Sequence, residues 1–140
     1  MHERPTGCLS DCGSGGQVSN RPILLVEDNE LNREMLVRRL KRAGLEIITA
    51  CDGQEALDLM ISEQPSVVLM DMSLPVLDGW TACRMARQDE RISQIPIIAL
   101  TAHAMEEDRR HALAAGCDDY ATKPVDFPGL LLKIGKLIRR

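Results

Sequence analysis

Glu27, Asp28, Asp71, Thr101 and Lys123 are the residues of this chain whose types and placement could do chemistry. Each follows a short apolar run. Ile23-Leu24-Leu25-Val26 precedes the acidic pair, Val67-Val68-Leu69-Met70 precedes Asp71, Pro96 to Leu100 precedes Thr101, and Asp119 to Thr122 precedes Lys123-Pro124. If those runs are strands of one sheet, three carboxylates, a hydroxyl and an ammonium converge on one of its edges. Two carboxylates about 4 Å apart repel by several kcal/mol at an effective dielectric of about 20, so the cluster needs a cation. An all-oxygen set with open water positions suits Mg²⁺. A carboxylate beside Mg²⁺, with Lys and Thr opposite, is arranged to receive a phosphoryl group. Asp71 would attack phosphorus in line, the metal and Lys123 would neutralise the equatorial oxygens, and Thr101 would donate a hydrogen bond to one of them.

The intervening residues supply the elements that such an arrangement requires. Leu31, Met35, Leu36 and Leu40 recur at helical spacing between arginines, and Gly44 follows as a C-cap. Glu46 to Ala50 predicts a second strand, and Gln54 to Glu63 a helix stopped by Pro65. Trp80 to Gln88 predicts a helix with Trp80, Cys83 and Met85 to Ala86 toward the sheet. Met105 to Ala115 predicts another, closed by Gly116, and Leu130 to Ile138 a last one with Leu130, Ile134, Leu137 and Ile138 on one face. Continuous apolar strands alternating with amphipathic helices predict an α/β fold. Its architecture is a five-stranded parallel sheet, doubly wound and flavodoxin-like, with βα repeated five times. Ligands of such sheets bind at the carboxyl ends of the strands, where the five polar residues stand.

With 140 residues, 44% hydrophobic and 27% charged, the chain has the size and composition of one domain with a single core. Residues 1–20, rich in Gly, Ser and Cys, read as a disordered leader or linker, leaving 21–140 as the domain. A net charge of −4 argues against direct nucleic-acid binding, and no apolar run reaches the roughly 20 residues of a membrane span. No signal-peptide core is present, so the expected compartment is the cytoplasm. The cysteines Cys8, Cys12, Cys51, Cys83 and Cys117 are odd in number and read as reduced thiols. Cys8 and Cys12, with His2, lack the second ligand pair of a zinc site.

Val26-Glu27-Asp28-Asn29, Met70 to Gly79 (MDMSLPVLDG), Ala99-Leu100-Thr101-Ala102 and Tyr120-Ala121-Thr122-Lys123-Pro124 together resemble the response-regulator receiver domains of two-component signalling, from about Pro22 to Ile138. Each motif alone is weak, whereas all of them in order at successive strand ends are specific. The resemblance implies that Asp71 is the phosphoacceptor. Glu27, Asp28 and Asp71 would hold Mg²⁺ together with the backbone carbonyl of Ser73. Many members have Asp-Asp where this chain has Glu27-Asp28, a form similar to receivers in or alongside hybrid histidine kinases. Asp28 would then bind directly and the longer Glu27 through water. The same resemblance implies a cis Lys123–Pro124 bond, a switch in which Thr101 moves toward the phosphoryl group and Tyr120 turns inward, and docking of a partner helix near Asn32, Met35 and Leu36. The partners implied are a histidine kinase or a histidine phosphotransfer protein, followed by a downstream protein. Turnover of an external substrate is not expected, only self-phosphorylation and autodephosphorylation.

Simpler roles compete at each position. Asp71 could cap its strand, and Glu27 or Asp28 could cap the first helix, but Asn29 is placed for that task. His103 and His111 read as solvent-facing helix residues, Trp80 as packing, and Lys133, Lys136, Arg139 and Arg140 as a solvated face. An aspartyl-phosphate-forming phosphohydrolase is the alternative from another class. It needs a second acid two residues after the nucleophile, and Ser73 stands there. A flavodoxin-like binding module would need a Gly- or hydroxyl-rich loop after the first strand, which is absent. A protein-interaction module that is not phosphorylated would have no need of the full polar set.

Overall fold

The computed structural model describes residues 21–101, 110–111 and 113–138. The leader with Cys8 and Cys12, His103, most of the helix expected at Met105 to Ala115, and Arg139 and Arg140 lie outside these. Arg110, His111, Leu113 and Ala114 are helical. The other elements are β1 (Ile23–Val26), α1 (Glu30–Arg42), β2 (Ile47–Ala50), α2 (Gly53–Glu63), β3 (Val67–Asp71), α3 (Gly79–Gln88), β4 (Ile97–Thr101), β5 (Asp119–Thr122) and α4 (Phe127–Ile138).

All strand pairs are parallel, in the order β2-β1-β3-β4-β5. The chain moves outward from β1 to β2, then crosses back to β3 on the other side. That reversal leaves a crevice at the carboxyl ends of β1 and β3. The central strands alternate between two apolar layers, as period-two side chains must. Leu24, Val26, Val68, Met70, Ile97 and Ala99 pack with Ala56, Leu57, Met60, Ala82, Cys83 and Ala86 of α2 and α3. Ile23, Leu25, Val67, Leu69, Ile98 and Leu100 pack with Leu36, Leu40, Leu130 and Ile134 of α1 and α4. Both faces are covered, which is why these strands are unbroken apolar runs in sequence.

The first three helices begin alike. Asn29, Asp52 and Asp78 each accept, through a side-chain oxygen, the backbone N–H three residues on, at 2.9, 2.8 and 2.8 Å. α1 closes with the Leu45 and Gly44 amides bonded back to the Leu40 and Lys41 carbonyls, with Gly44 at φ +93°. At the end of α2, Gln64 adopts φ +49° and its side-chain amide also donates to the Met60 and Ile61 carbonyls. Two expectations need correction. Met85 is exposed while Ala82, Cys83 and Ala86 face the core, because the buried stripe of α3 follows positions 79, 82, 83 and 86. α4 starts at Phe127, a turn earlier than its apolar face suggests, since Leu130 N–H already bonds to Asp126 and Pro128 fits a first helical turn.

The loop from β3 to α3 is tight. A Cβ on Gly79 would collide with the Asp71 carbonyl oxygen and with Met72. Ahead of it, Leu77 N–H bonds to the Pro75 carbonyl at 2.6 Å across Val76, a β-branched residue held at φ +66° and exposed to solvent. This three-residue turn is strained for valine, by roughly 1–3 kcal/mol. Val76→Gly relieves the strain and loses part of the gain to backbone entropy, so a net stabilisation of about 1 kcal/mol is expected in urea unfolding. A destabilised variant would show that Val76 is not strained.

Candidate functional site

β1 and β3 are neighbours, with Val26 opposite Met70, so the residues just past them share one edge. One carboxylate oxygen each from Glu27, Asp28 and Asp71 lies within 4.8 Å of the other two. Glu27 and Asp71 are 1% and 4% exposed, whereas Asp28 faces solvent. Lys123 arrives from the end of β5, and its Nζ donates to Asp71 Oδ2 at 3.0 Å and to Glu27 Oε1 at 3.2 Å. The Lys123 amide donates to the Thr101 carbonyl at 2.8 Å, joining the ends of β4 and β5, and the Lys123–Pro124 peptide is cis. Thr101, buried, stands one residue beyond Leu100, the partner of Asp71 in β4. The Ser73 amide donates to Asp71 Oδ1 at 3.0 Å, which folds the loop over the carboxylate.

The Lys123 ammonium only partly offsets the formal negative charge of the three carboxyl groups. Burial pushes the Glu27 carboxyl above its ordinary range and the Asp71 charge adds to the effect, against the Asn29 amide and Lys123, which pull it down. For Lys123, burial acts downward, but the hydrogen bond and charge of Asp71, then those of Glu27, hold the ammonium above its ordinary value. A carboxyl raised by burial and by the charge of Asp71, in a set of hard oxygen donors beside an exposed Asp28, fits a divalent cation such as Mg²⁺.

Four of the sequence-derived site residues thus meet directly: Glu27, Asp28, Asp71 and Lys123. Tyr120 does not join them. Opposite Ala99 and half-buried, it packs beside the α2–α3 layer, with Lys133 Nζ 5.7 Å from its ring centre. The docking surface expected at Asn32, Met35 and Leu36 needs correction. Leu36 is 2% exposed and packs against the sheet, because it shares the inner stripe of α1 with Leu40. Leu31, 78% exposed, and Met35, 39% exposed, stand on the outer surface with Asn32. Two contributors were not legible as such. Asn29 offers its amide to Glu27 Oε2 at 3.2 Å, and Arg33 Nη1 donates to the Glu27 carbonyl at 3.0 Å. Arg33 looks in sequence like any arginine of the polar helix face; only its place one turn into the helix after the acidic pair hints otherwise. Lys133 reaches Asp119 at 3.5 Å, so this residue of the basic cluster is tied to β5.

Known proteins give the same picture. The family model for the response regulator receiver domain matches residues 23–135. The DNA-binding dual master transcriptional regulator RpaA of Synechocystis is 35% identical over 118 residues, 84% of this chain and 49% of RpaA, so the chain spans about half the length of that relative. The receiver domain of the Pseudomonas aeruginosa sensor histidine kinase PA1611, solved with magnesium coordinated in its active-site cleft, is 38% identical with a TM-score of 0.79, covering 86% of this chain and 98% of that one. The receiver domain of Saccharomyces cerevisiae Ssk1, solved with the histidine phosphotransfer protein Ypd1, is 34% identical with a TM-score of 0.78, over 83% of this chain and 87% of its counterpart. Among the described residues no helix is long and apolar enough to cross a membrane. Its sequence match and its fold agree: the chain belongs to the response regulator receiver domains of two-component signalling, a family of regulators.

Proposed function

We propose that Asp71 accepts a phosphoryl group from the phosphohistidine of a histidine kinase or histidine phosphotransfer protein, with Mg²⁺ held by Glu27, Asp28, Asp71 and the Ser73 carbonyl. The observation that carries this reading is a buried carboxylate held at 3.0 Å from an ammonium, with two further carboxylates within 4.8 Å. A carboxylate oxygen of Asp71 attacks phosphorus while the P–N bond breaks and its electron pair leaves with the imidazole. Lys123 balances charge on the phosphoryl oxygens, and Thr101 donates a hydrogen bond to one of them. The cation, when bound, offsets negative charge shared by the carboxylates and the incoming phosphoryl group. Hydrolysis of the aspartyl phosphate resets the site.

Phosphorylation replaces one negative charge by about two and adds acceptor oxygens. That favours the conformer in which Thr101 and Tyr120 have moved inward, and so alters the surface around β5 and α4. The donor protein docks its helix over Leu31, Asn32 and Met35, next to the carboxylates. Ssk1 bound to a phosphotransfer protein supports a partner of this kind.

Incubation with acetyl phosphate and Mg²⁺, followed by intact mass measurement, tests the reading. A single adduct of about 80 Da is expected in the wild type and none in Asp71→Asn. An adduct that persists in Asp71→Asn would sink the assignment.

A further inference from the structure

Cys83 and Cys117 take no part in the site described above. Their sulfurs nevertheless lie 3.4 Å apart, brought together from positions 34 residues distant. Cys83 is on the inner face of α3, fully buried, and Cys117 sits between the turn at Gly116 and β5, 6% exposed. Cys51, by contrast, is exposed and forms no such pair among the described residues. A disulfide spans about 2.05 Å, so the two sulfurs need approach by only about 1.4 Å.

The surroundings favour reaction at one of the two. Arg87, one turn beyond Cys83 on α3, sets its guanidinium against the Gly116 carbonyl at 2.7 Å and Asp118 Oδ2 at 2.8 Å, flanking Cys117 on both sides. The hydrogen bond from Cys117 holds the Cys83 thiol below its usual range despite burial, with the Arg87 charge helping. The same bond, and burial, push Cys117 up. Of the two, Cys83 is thereby favoured as the nucleophile.

We propose that Cys83 and Cys117 are a redox modification site, at which a small hydroperoxide forms a disulfide joining α3 to the entry of β5. Cys83 sulfur attacks the peroxide, the O–O bond breaks, and the departing hydroxide takes up a proton as water, leaving a sulfenic acid. Cys117 sulfur, losing its proton, attacks that sulfenic sulfur. The S–S bond forms and the sulfenic hydroxyl leaves as a second water. One hydrogen peroxide is reduced to two waters as two thiols are oxidised. Burial selects against bulky disulfide oxidants. The closed loop contains β4 with Thr101, so oxidation ties the segment carrying that hydroxyl at its far end to α3.

The test treats the full chain with hydrogen peroxide, alkylates remaining thiols under denaturing conditions, and maps the digest by mass spectrometry. A peptide pair joined through Cys83 and Cys117 is expected, lost after dithiothreitol and retained in Cys51→Ser. Cys117→Ser should abolish it. The proposal is overturned if Cys83 and Cys117 are both recovered alkylated while exposed Cys51 is oxidised. It is equally overturned if either appears only as sulfinic acid or joined to a different cysteine.

Discussion

Arg87→Ala is expected to destabilise the fold by about 3–5 kcal/mol, a large share of the roughly 5–15 kcal/mol that holds a domain together. From α3 its guanidinium donates to the Gly116 carbonyl at 2.7 Å, the Ser93 and Ile95 carbonyls at 3.0 and 2.7 Å, and Asp118 Oδ2 at 2.8 Å. Asp118 Oδ2 in turn accepts the first amide of β4, from Ile97, at 2.9 Å. One cation thus fastens the entries of β4 and β5 to α3. Truncation removes a donor from three carbonyls and the charge partner of Asp118, which keeps the Ile97 amide, at about 1–3 kcal/mol for each group left buried and unpaired. The side chain is only 22% exposed, so water replaces the lost bonds incompletely. Arg87→Lys should recover only part of the loss, because a single ammonium cannot span the fan of acceptors that the planar fork meets. Urea unfolding monitored by circular dichroism measures both variants. A loss under about 1 kcal/mol in Arg87→Ala would mean that the network is ornamental.

Lys123→Gln should lower the rate of phosphorylation by acetyl phosphate about 10²–10³-fold, the usual cost of removing one donor aimed at developing charge. Its stability effect is separate. In the metal-free protein the Lys123 ammonium pairs with the Glu27 and Asp71 carboxylates, whose side chains are 2% and 6% exposed, so its loss should cost about 1–3 kcal/mol. Mg²⁺ should restore much of that stability but not the rate, which distinguishes charge balance from phosphoryl stabilisation. The pH dependence has a definite sign. A lysine raised on folding contributes stability that is complete below its ordinary value of 10.5 and is lost as pH climbs through the higher folded value. On the alkaline side, the wild type should therefore lose its advantage over Lys123→Gln in that window. Phosphorylation of the variant within tenfold of the wild-type rate would remove Lys123 from the proposed chemistry.

The sheet and four of the polar residues at its edge were legible because a parallel sheet covered on both faces leaves little freedom in its strands. Ile23 to Val26 and Val67 to Met70 must be apolar throughout, so the first acid after each run marks the strand's end. Leu36 was misread for a related reason. Leu31, Met35 and Leu36 all look like one apolar face in sequence, but a helix packed on a flat sheet buries a narrow stripe, and Leu36 with Leu40 fills it. Arg87 and the Cys83–Cys117 pair were not legible at all. Their meaning lies in contacts to residues 29–34 positions away, across two connections, and no local periodicity encodes that distance.

Trp80 carries a consequence of a different kind. It is the chain's single tryptophan, and its indole stacks on the imidazole of His111 with ring centres 4.5 Å apart and planes 19° from parallel. One ring belongs to α3, next to the loop that covers Asp71; the other belongs to the helical segment between β4 and β5. An imidazole stacked on indole quenches its emission, more strongly when protonated. The protein therefore contains its own optical gauge. Without any label, tryptophan brightness is expected to report whether the Trp80 and His111 rings are stacked.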